Sequence, residues 1–132
     1  MCKAGDIIVV QSYKRGDEDL NRHSFIVLQD EEGQIQGLDY NLICNVMSSF
    51  KNEEQKERKL QYPGNFPIKP SDSTVLNGNN KEGYVKTEQF YYFQKENLEY
   101  KIIGRINEDV FNRLIKYISE LDTPIEDITD NL

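Results

Sequence analysis

The stretch Gly5-Asp6-Ile7-Ile8-Val9-Val10-Gln11-Ser12-Tyr13 has the composition of a β-strand, because a glycine and an aspartate open a run of β-branched residues. A second apolar run, Ser24-Phe25-Ile26-Val27-Leu28-Gln29, has the same character and ends at the turn cluster Asp30-Glu31-Glu32-Gly33. Residues 14–21, between the two runs, are polar and predict a turn or a mobile loop. The sequence therefore begins with two strands.

Short apolar runs continue along the chain, each bounded by turn residues. A third strand is predicted at Ile35 to Tyr40, and a fourth strand or its continuation at Leu42 to Met47. The later runs predict short β segments at residues 66–69, 73–76, 84–86, 89–93 and 100–104.

Polar stretches separate some of these runs. Residues 51–59 contain no apolar side chain and are interpreted as a solvated loop rather than an exposed helical turn. Pro63 and Pro67 indicate a segment at the edge of a sheet, because proline cannot donate a ladder hydrogen bond. The run Asn77-Gly78-Asn79-Asn80 is typical of a hairpin or loop.

One helix is predicted near the end of the chain, over residues 108–121. Asn107 is a suitable N-cap, and Glu108 and Asp109 place negative charge in the first turn. The apolar residues then recur at helical spacing: Val110, Phe111, Leu114, Ile115, Ile118 and Leu121. The pattern predicts a mainly β protein, a small, strongly curved antiparallel sheet or barrel with a C-terminal helix. We expect a single domain over residues 1–121, followed by an acidic, loose tail at 122–132.

Composition excludes several classes of protein. The chain of 132 residues has no apolar run near the ~20 residues that span a bilayer, so no membrane association is expected. Cys2 and Cys44 are too few for a disulfide scaffold, and Cys44 is interpreted as a core residue rather than a nucleophile. We expect a soluble, cytoplasmic protein with free thiols.

The charged and metal-binding residues limit the chemistry further. Because His23 is the only histidine, a mechanism that needs two imidazoles in one chain is excluded, and no metal or cofactor motif occurs. The formal net charge of −7 does not resemble that of a generic nucleic-acid binder. Any anion site must therefore be a local pocket.

Three segments nevertheless carry candidate chemistry. Arg22 stands at the start of an apolar strand, although arginine there is often only a surface residue. Ser48 and Ser49 supply two hydroxyls at the end of another strand, where serines more often cap a turn. In the run Phe90-Tyr91-Tyr92-Phe93, alternation sends one pair of rings to the core and leaves the other pair for a dimer interface or base stacking.

Taken in order, the segments resemble the MazF/PemK/Kid family of toxin endoribonucleases. In that family an opening Gly-Asp-Ile strand precedes a strand that starts with Arg-Pro, and a third landmark strand ends in Thr-Ser. The matching segments here are Gly5–Val10, Arg22–Leu28 with His23 in place of the proline, Asn45–Ser49 with Ser48 in place of the threonine, Tyr62-Pro63, Glu82–Gln89 and Ile103–Ile106.

The resemblance implies an SH3-like barrel of the CcdB/MazF type, which forms a homodimer and binds single-stranded RNA in a groove between subunits. It assigns Arg22 and Ser48 as catalytic residues, with His23 and Ser49 in support. Lys14, Arg15 and Lys51 are expected to contact the RNA. Cleavage would need no cofactor and no metal, and a cognate antitoxin would block the groove.

Elementary chemistry is compatible with this role. Arginine grips two phosphate oxygens and stays charged, which suits an electrostatic stabiliser of a phosphate under attack by a ribose 2′-hydroxyl. One alternative is a binding module of the same fold that has lost catalysis, and another is a gyrase poison on the related CcdB scaffold. The acidic residues Asp17, Glu18 and Asp19 suggest a further hypothesis, that this loop occupies the groove at rest.

Overall fold

The computed structural model describes residues 1–76 and 81–132, and at its centre lies a long antiparallel hairpin of strands β1 (Asp6–Arg15) and β2 (Glu18–Gln29). The polar residues 14–21, predicted as a turn or mobile loop, are mostly strand. Only Gly16 and Asp17 form the turn, and Gly16 has the positive φ of 60° that the first central position of a type II′ turn requires. Opposite charges face each other across the hairpin at Lys14 and Asp19 and at Arg15 and Glu18, which favours pairing of these polar ends.

Of the nine remaining strands, seven complete a sheet that has nine strands within the described residues, and the other two form a separate two-stranded sheet. Their bounds are β3 (Gly33–Ile35), β4 (Leu38–Tyr40), β5 (Leu42–Ser49), β6 (Asn65–Ile68), β7 (Ser73–Val75), β8 (Gly83–Lys86), β9 (Gln89–Phe93), β10 (Tyr100–Ile106) and β11 (Glu126–Ile128). The order is β11-β9-β5-β2-β1-β10-β7, with β8 pairing to both β5 and β6. All pairs in the sheet are antiparallel except β11 with β9, so the predicted mainly β class is confirmed.

Strands β3 and β4 form a separate hairpin, so the single strand predicted at Ile35 to Tyr40 is wrong. Gln36 and Gly37 both have positive φ, at 53° and 80°, as the two central residues of a type I′ turn do. Among the described strands, β6 pairs with β8 alone, as the prolines predicted for an edge segment. The predicted turn at residues 77–80 lies outside the described residues.

Helix α1 (Glu53–Lys59) replaces the solvated loop predicted for residues 51–59. The Asn52 side chain accepts a hydrogen bond from the backbone of Gln55 at 2.7 Å and so caps the helix. Acidic residues occupy its first turn and basic residues its last turn, both favourable to the helix dipole. None of its residues is buried, so no apolar periodicity marks it in the sequence.

Helix α2 (Glu108–Ser119) confirms the predicted C-terminal helix. Asn107 does occupy the N-cap position, but its side chain donates to the carbonyl of Ser71 instead of capping the helix. Val110 and Leu114 are buried in a core cluster with Ile26 of β2. Ile115, predicted on the same stripe, is 40% exposed.

The two faces of the sheet pack into different clusters, because successive strand residues point to opposite sides. Ile8, Val10 and Phe25 belong to the first cluster, whereas Ile26 faces the second cluster beneath α2. Tyr91 of β9 packs edge-on against Phe25 in the first cluster. The centre of the sheet is therefore β2 between β1 and β5, and residues of β2 and β5 carry the candidate site.

The expectation of a loose tail at 122–132 is wrong. Residues 126–128 form β11, which pairs in parallel with β9, and Ile128 is only 2% exposed within the first cluster. Asn131 makes two hydrogen bonds with the backbone of Lys14, at 2.7 and 3.0 Å. The tail is thus fixed to both the sheet edge and the β1–β2 hairpin.

Candidate active site

A groove of about 610 Å³ crosses the middle of β2 and the end of β5 and extends to α1. Strand β2 contributes Arg22 and His23 to its lining, and β5 contributes Ser48 and Ser49. Lys51 lines it from the segment that leads into α1. Five of the seven residues expected to act in the site therefore lie along one groove.

The sheet register explains how these residues meet. Ser24 pairs with Val9 on one side and with Met47 on the other. Since side chains alternate along a strand, Arg22 shares the face of Ser24, and Ser49 shares the face of Met47. His23 and Ser48 then belong to the opposite face, and both also contribute to the lining of the groove.

The β5–β8 contact fixes the position of the serines. Ser49 pairs with Gly83, and a Cβ atom on Gly83 would clash with the carbonyl oxygen of Ser48. Glycine is therefore required for this close approach. On the same ladder, Tyr84 pairs with Ser48 and stacks on the ring of Phe50, with centroids 5.1 Å apart.

The lining of the groove carries the opposite charge to the whole chain. Among the described residues that line it, three are cationic, namely Arg22, Lys51 and Lys59, and none is acidic. An adjoining pocket, which shares Ser48 and Ser49 with the groove, adds Lys81. The chain thus has a net charge of −7 and also a local site suited to an anion. A local pocket is what the sequence analysis expected of any anion site.

The imidazole of His23 is partly desolvated, although the residue as a whole is exposed. Burial lowers its pKa below the ordinary value of 6.5, and the nearby Lys86 ammonium lowers the pKa further. Its ring also makes an edge contact with Tyr13, with centroids 6.2 Å apart. A neutral imidazole at pH 7 is able to accept a proton.

Two lining residues of α1, Gln55 and Lys59, were not identified from the sequence. Their signal was available, because Lys51, Gln55 and Lys59 are spaced by four residues and would lie along one side of a helix. Because residues 51–59 were interpreted as a loop, these three residues were not expected to lie on one side of an element.

Two other predicted RNA contacts lie elsewhere. The guanidinium of Arg15 forms an ion pair with Glu126 at 2.9 Å, and Lys14 is held by Asn131. Neither residue lines the groove. Lys14 and Arg15 therefore stay predictions, separate from the residues that the structure brings together.

The acidic residues at the hairpin do not occupy the groove. Asp17 is in the turn, whereas Glu18 and Asp19 pair with Arg15 and Lys14 across the hairpin. None of the three is part of the groove lining, so the hypothesis that they fill it at rest is not supported by this structure.

The aromatic run also differs from the open stacking surface considered above. Tyr91 and Phe93 are in the core, as alternation predicted for one pair of rings. On the other face, Tyr92 packs against Tyr40 and donates to Asp127 at 2.8 Å, so it is buried as well. Cys44 is fully buried, and this burial raises the pKa of its thiol, which confirms the interpretation of a core residue.

Within residues 1–76 and 81–132, no three or more histidine, cysteine, aspartate or glutamate side chains are grouped so that they could hold a metal ion. In the same part of the chain, no helix has the length and apolarity that crossing a membrane requires.

Residues 3–121 match the model of a family described as PemK-like, MazF-like toxins of type II toxin–antitoxin systems. No match is found among the curated proteins. Since the matched range takes in β1 to β10 and all of α2, this chain belongs to the PemK-like, MazF-like toxin family of type II toxin–antitoxin systems.

Proposed function

We propose that this toxin-family protein is a metal-independent endoribonuclease that cleaves single-stranded RNA in the groove between β2, β5 and α1. The observation that carries the proposal is the groove itself. Arg22 lies there with Ser48, Ser49 and His23, and the lining is cationic and free of carboxylates among the described residues. Such a lining attracts a phosphodiester, because no carboxylate of the described lining offsets its cations.

The proposed reaction needs positioning and charge stabilisation more than it needs a cofactor. The ribose 2′-oxygen forms a bond to the adjacent phosphorus, and the bond from phosphorus to the 5′-oxygen breaks. The leaving 5′-oxygen takes a proton from water, so the products are a 2′,3′-cyclic phosphate and a 5′-hydroxyl end. The protein must hold the phosphate in line and stabilise the extra charge on its oxygens.

Arg22 and Ser48 are the catalytic residues of this proposal. The planar guanidinium of Arg22 binds two phosphate oxygens and remains charged throughout. The Ser48 hydroxyl donates a hydrogen bond to a non-bridging oxygen, and Ser49 supports it from the neighbouring position. His23 supports the reaction as a neutral imidazole that can take the proton of the 2′-hydroxyl.

The partners in the proposal are RNA, a second copy of the chain and an antitoxin. Lys51 and Lys59 contact RNA phosphates from the α1 side of the groove. Lys14 and Arg15 can contact only RNA that extends beyond the groove. Family membership implies a cognate antitoxin, and we propose that it blocks this groove and that two copies of the chain form the active dimer.

The decisive experiment incubates the purified protein with a long unstructured RNA in EDTA, beside Arg22→Ala and Ser48→Ala variants, and maps the ends of the products. We expect sharp cuts with cyclic-phosphate and 5′-hydroxyl ends that disappear in Arg22→Ala. Cuts that persist in Arg22→Ala would mean a contaminant or a wrongly assigned site. No cleavage of several RNAs by a folded protein would instead favour the binding module that has lost catalysis.

A further inference from the structure

Gln55 lies in the wall of the groove, and hydrogen bonds fix both its backbone and its side chain. Its backbone N–H donates to Asn52 Oδ1 at 2.7 Å, and its side-chain oxygen accepts from the backbone N–H of Lys51 at 2.6 Å. Because the amide nitrogen cannot accept a hydrogen bond, only the oxygen can face Lys51. The orientation of the amide group is therefore determined.

This orientation leaves the Nε2 group of Gln55 as a pair of donors at the groove. Within residues 1–76 and 81–132, no acceptor is recorded for it, and the residue is only half-buried. The amide oxygen already accepts a hydrogen bond from Lys51. The free groups that Gln55 presents to a ligand are therefore its N–H donors. A ligand group that satisfies this site must be an acceptor.

The surroundings suit a nucleic acid whose base approaches Gln55. Lys51 and Lys59 line the groove four residues before and after it, so cations lie on both sides of the amide. Helix α1 is itself held to the sheet, because Lys56 forms an ion pair with Glu82 just before β8. An amide donor whose orientation is set by a hydrogen bond, in a groove that also holds two lysines, is well placed to distinguish bases.

We propose that Gln55 is a specificity-determining residue that donates a hydrogen bond to the O4 atom of uracil or the O6 atom of guanine in one unpaired base. This inference rests on the proposed function, since it assigns a base to the same groove. Uracil and guanine present a carbonyl where cytosine and adenine present an amino group. A donor-only site therefore selects uracil or guanine at one position of the cleavage motif. An amino group facing Gln55 would leave the donors of both groups without an acceptor.

The variant Gln55→Glu tests this assignment with little change of shape. The glutamate keeps an oxygen for Lys51, so the start of α1 is retained, but its other oxygen accepts instead of donating. Gln61→Glu is the matched control, because it makes the same chemical change at an exposed residue outside the groove lining. Cleavage of a randomised RNA pool by the three proteins is sequenced, and binding of oligo(U) and oligo(C) is measured by fluorescence anisotropy.

For the wild type and Gln61→Glu we expect one motif position restricted to uracil or guanine, and binding of oligo(U) roughly tenfold tighter than oligo(C). Gln55→Glu should lose or reverse this preference. The ratio is independent of the added charge, because both RNAs carry the same phosphates. Unchanged preferences in Gln55→Glu would overturn the inference while leaving the nuclease proposal intact. If the wild type does not cleave, reversal in the binding assay still supports the inference, and equal binding of both RNAs refutes it.

Discussion

Arg22 is exposed in β2, just before the buried part of that strand, and within the described residues it forms no hydrogen bond or ion pair. By contrast, Arg15 is paired with Glu126 and Arg105 with Asp6. A guanidinium without an internal partner keeps its planar donors for a ligand. This is the property that a phosphate-binding arginine needs.

The shape of the guanidinium, in addition to its charge, should matter at Arg22. In the cleavage assay, Arg22→Ala should lower kcat/KM by about 10²- to 10³-fold, as the loss of one oxyanion donor does. Arg22→Lys should recover only part of this loss, because a lysine is a point charge without the bidentate fork. Arg113→Ala, on the exposed side of α2, is the control and should leave kcat/KM unchanged. Equal activity of Arg22→Lys and the wild type would show that charge alone suffices.

The pKa of His23 can be followed directly, because the chain has a single histidine. An NMR titration of its ring proton should give a pKa below 6.5, since burial is the larger cause of the shift. Lys86→Met should raise this pKa only part of the way, because it removes the smaller cause. Cleavage should be retained above the His23 pKa and decline as the pH falls through it, since the protonated ring cannot accept a proton. A pKa above 6.5 would contradict the environment described here.

At the scale of single residues, the sequence predicts Arg22, Ser48 and their neighbours but not Gln55. Arg22 and Ser48 stand at the ends of apolar runs, and the alternation and order of these runs can be recognised in the sequence. Gln55 acquires its role from a hydrogen bond to Lys51 and from a helix that has no buried residue. No hydrophobic pattern could reveal that arrangement.

At the scale of elements, α1 and β11 were both absent from the elements predicted from the sequence, for related reasons. Helix α1 is held by its cap, its charges and the Lys56–Glu82 ion pair rather than by an apolar face. Strand β11 has three residues, and only Ile128 is buried. Hydrophobic periodicity needs several buried positions, so it succeeds for α2 and fails for these short elements.

The C-terminal strand should depend on Ile128 more than on its ion pair. Ile128→Ala removes a side chain that is 2% exposed, and we expect a loss of about 2–3 kcal/mol in the free energy of unfolding. Breaking the half-exposed Arg15–Glu126 pair with Glu126→Gln should cost less than about 1 kcal/mol. Urea unfolding measures both, with Ile125→Ala as a less buried control in the same segment. A larger loss from Glu126→Gln would mean that charge fixes the tail.

At the scale of the whole molecule, the fold gathers cations at one site although the chain has a net negative charge. The chain has 16 basic and 23 acidic residues, yet the groove lining described above holds Arg22, Lys51 and Lys59 without a carboxylate. These cations come from β2, from the approach to α1 and from α1 itself. Their meeting depends on the β2–β5 register and on a helix that was not predicted, so net charge alone could not exclude an anion site.

The salt dependence of RNA binding should show how many of these cations contact RNA phosphates. Three groove cations would give a slope of log K against log salt of roughly −2, at about −0.7 for each phosphate of a single strand. The net charge of −7 opposes this, because salt screens the long-range repulsion between protein and RNA and so favours association. We therefore expect a measured slope shallower than −2, unlike that of a protein with a broad basic surface.

The same titration separates groove cations from surface cations. Lys59→Gln should weaken binding and make the slope shallower by about 0.7, because it removes one phosphate contact. Lys116→Gln, on α2 with 76% of its side chain exposed, changes the net charge equally and should leave the slope unchanged. If both variants shift the slope alike, RNA is attracted by the overall field and not by the groove. A shift confined to Lys59→Gln would mean that an acidic protein binds RNA through a few cations that its fold gathers at one site.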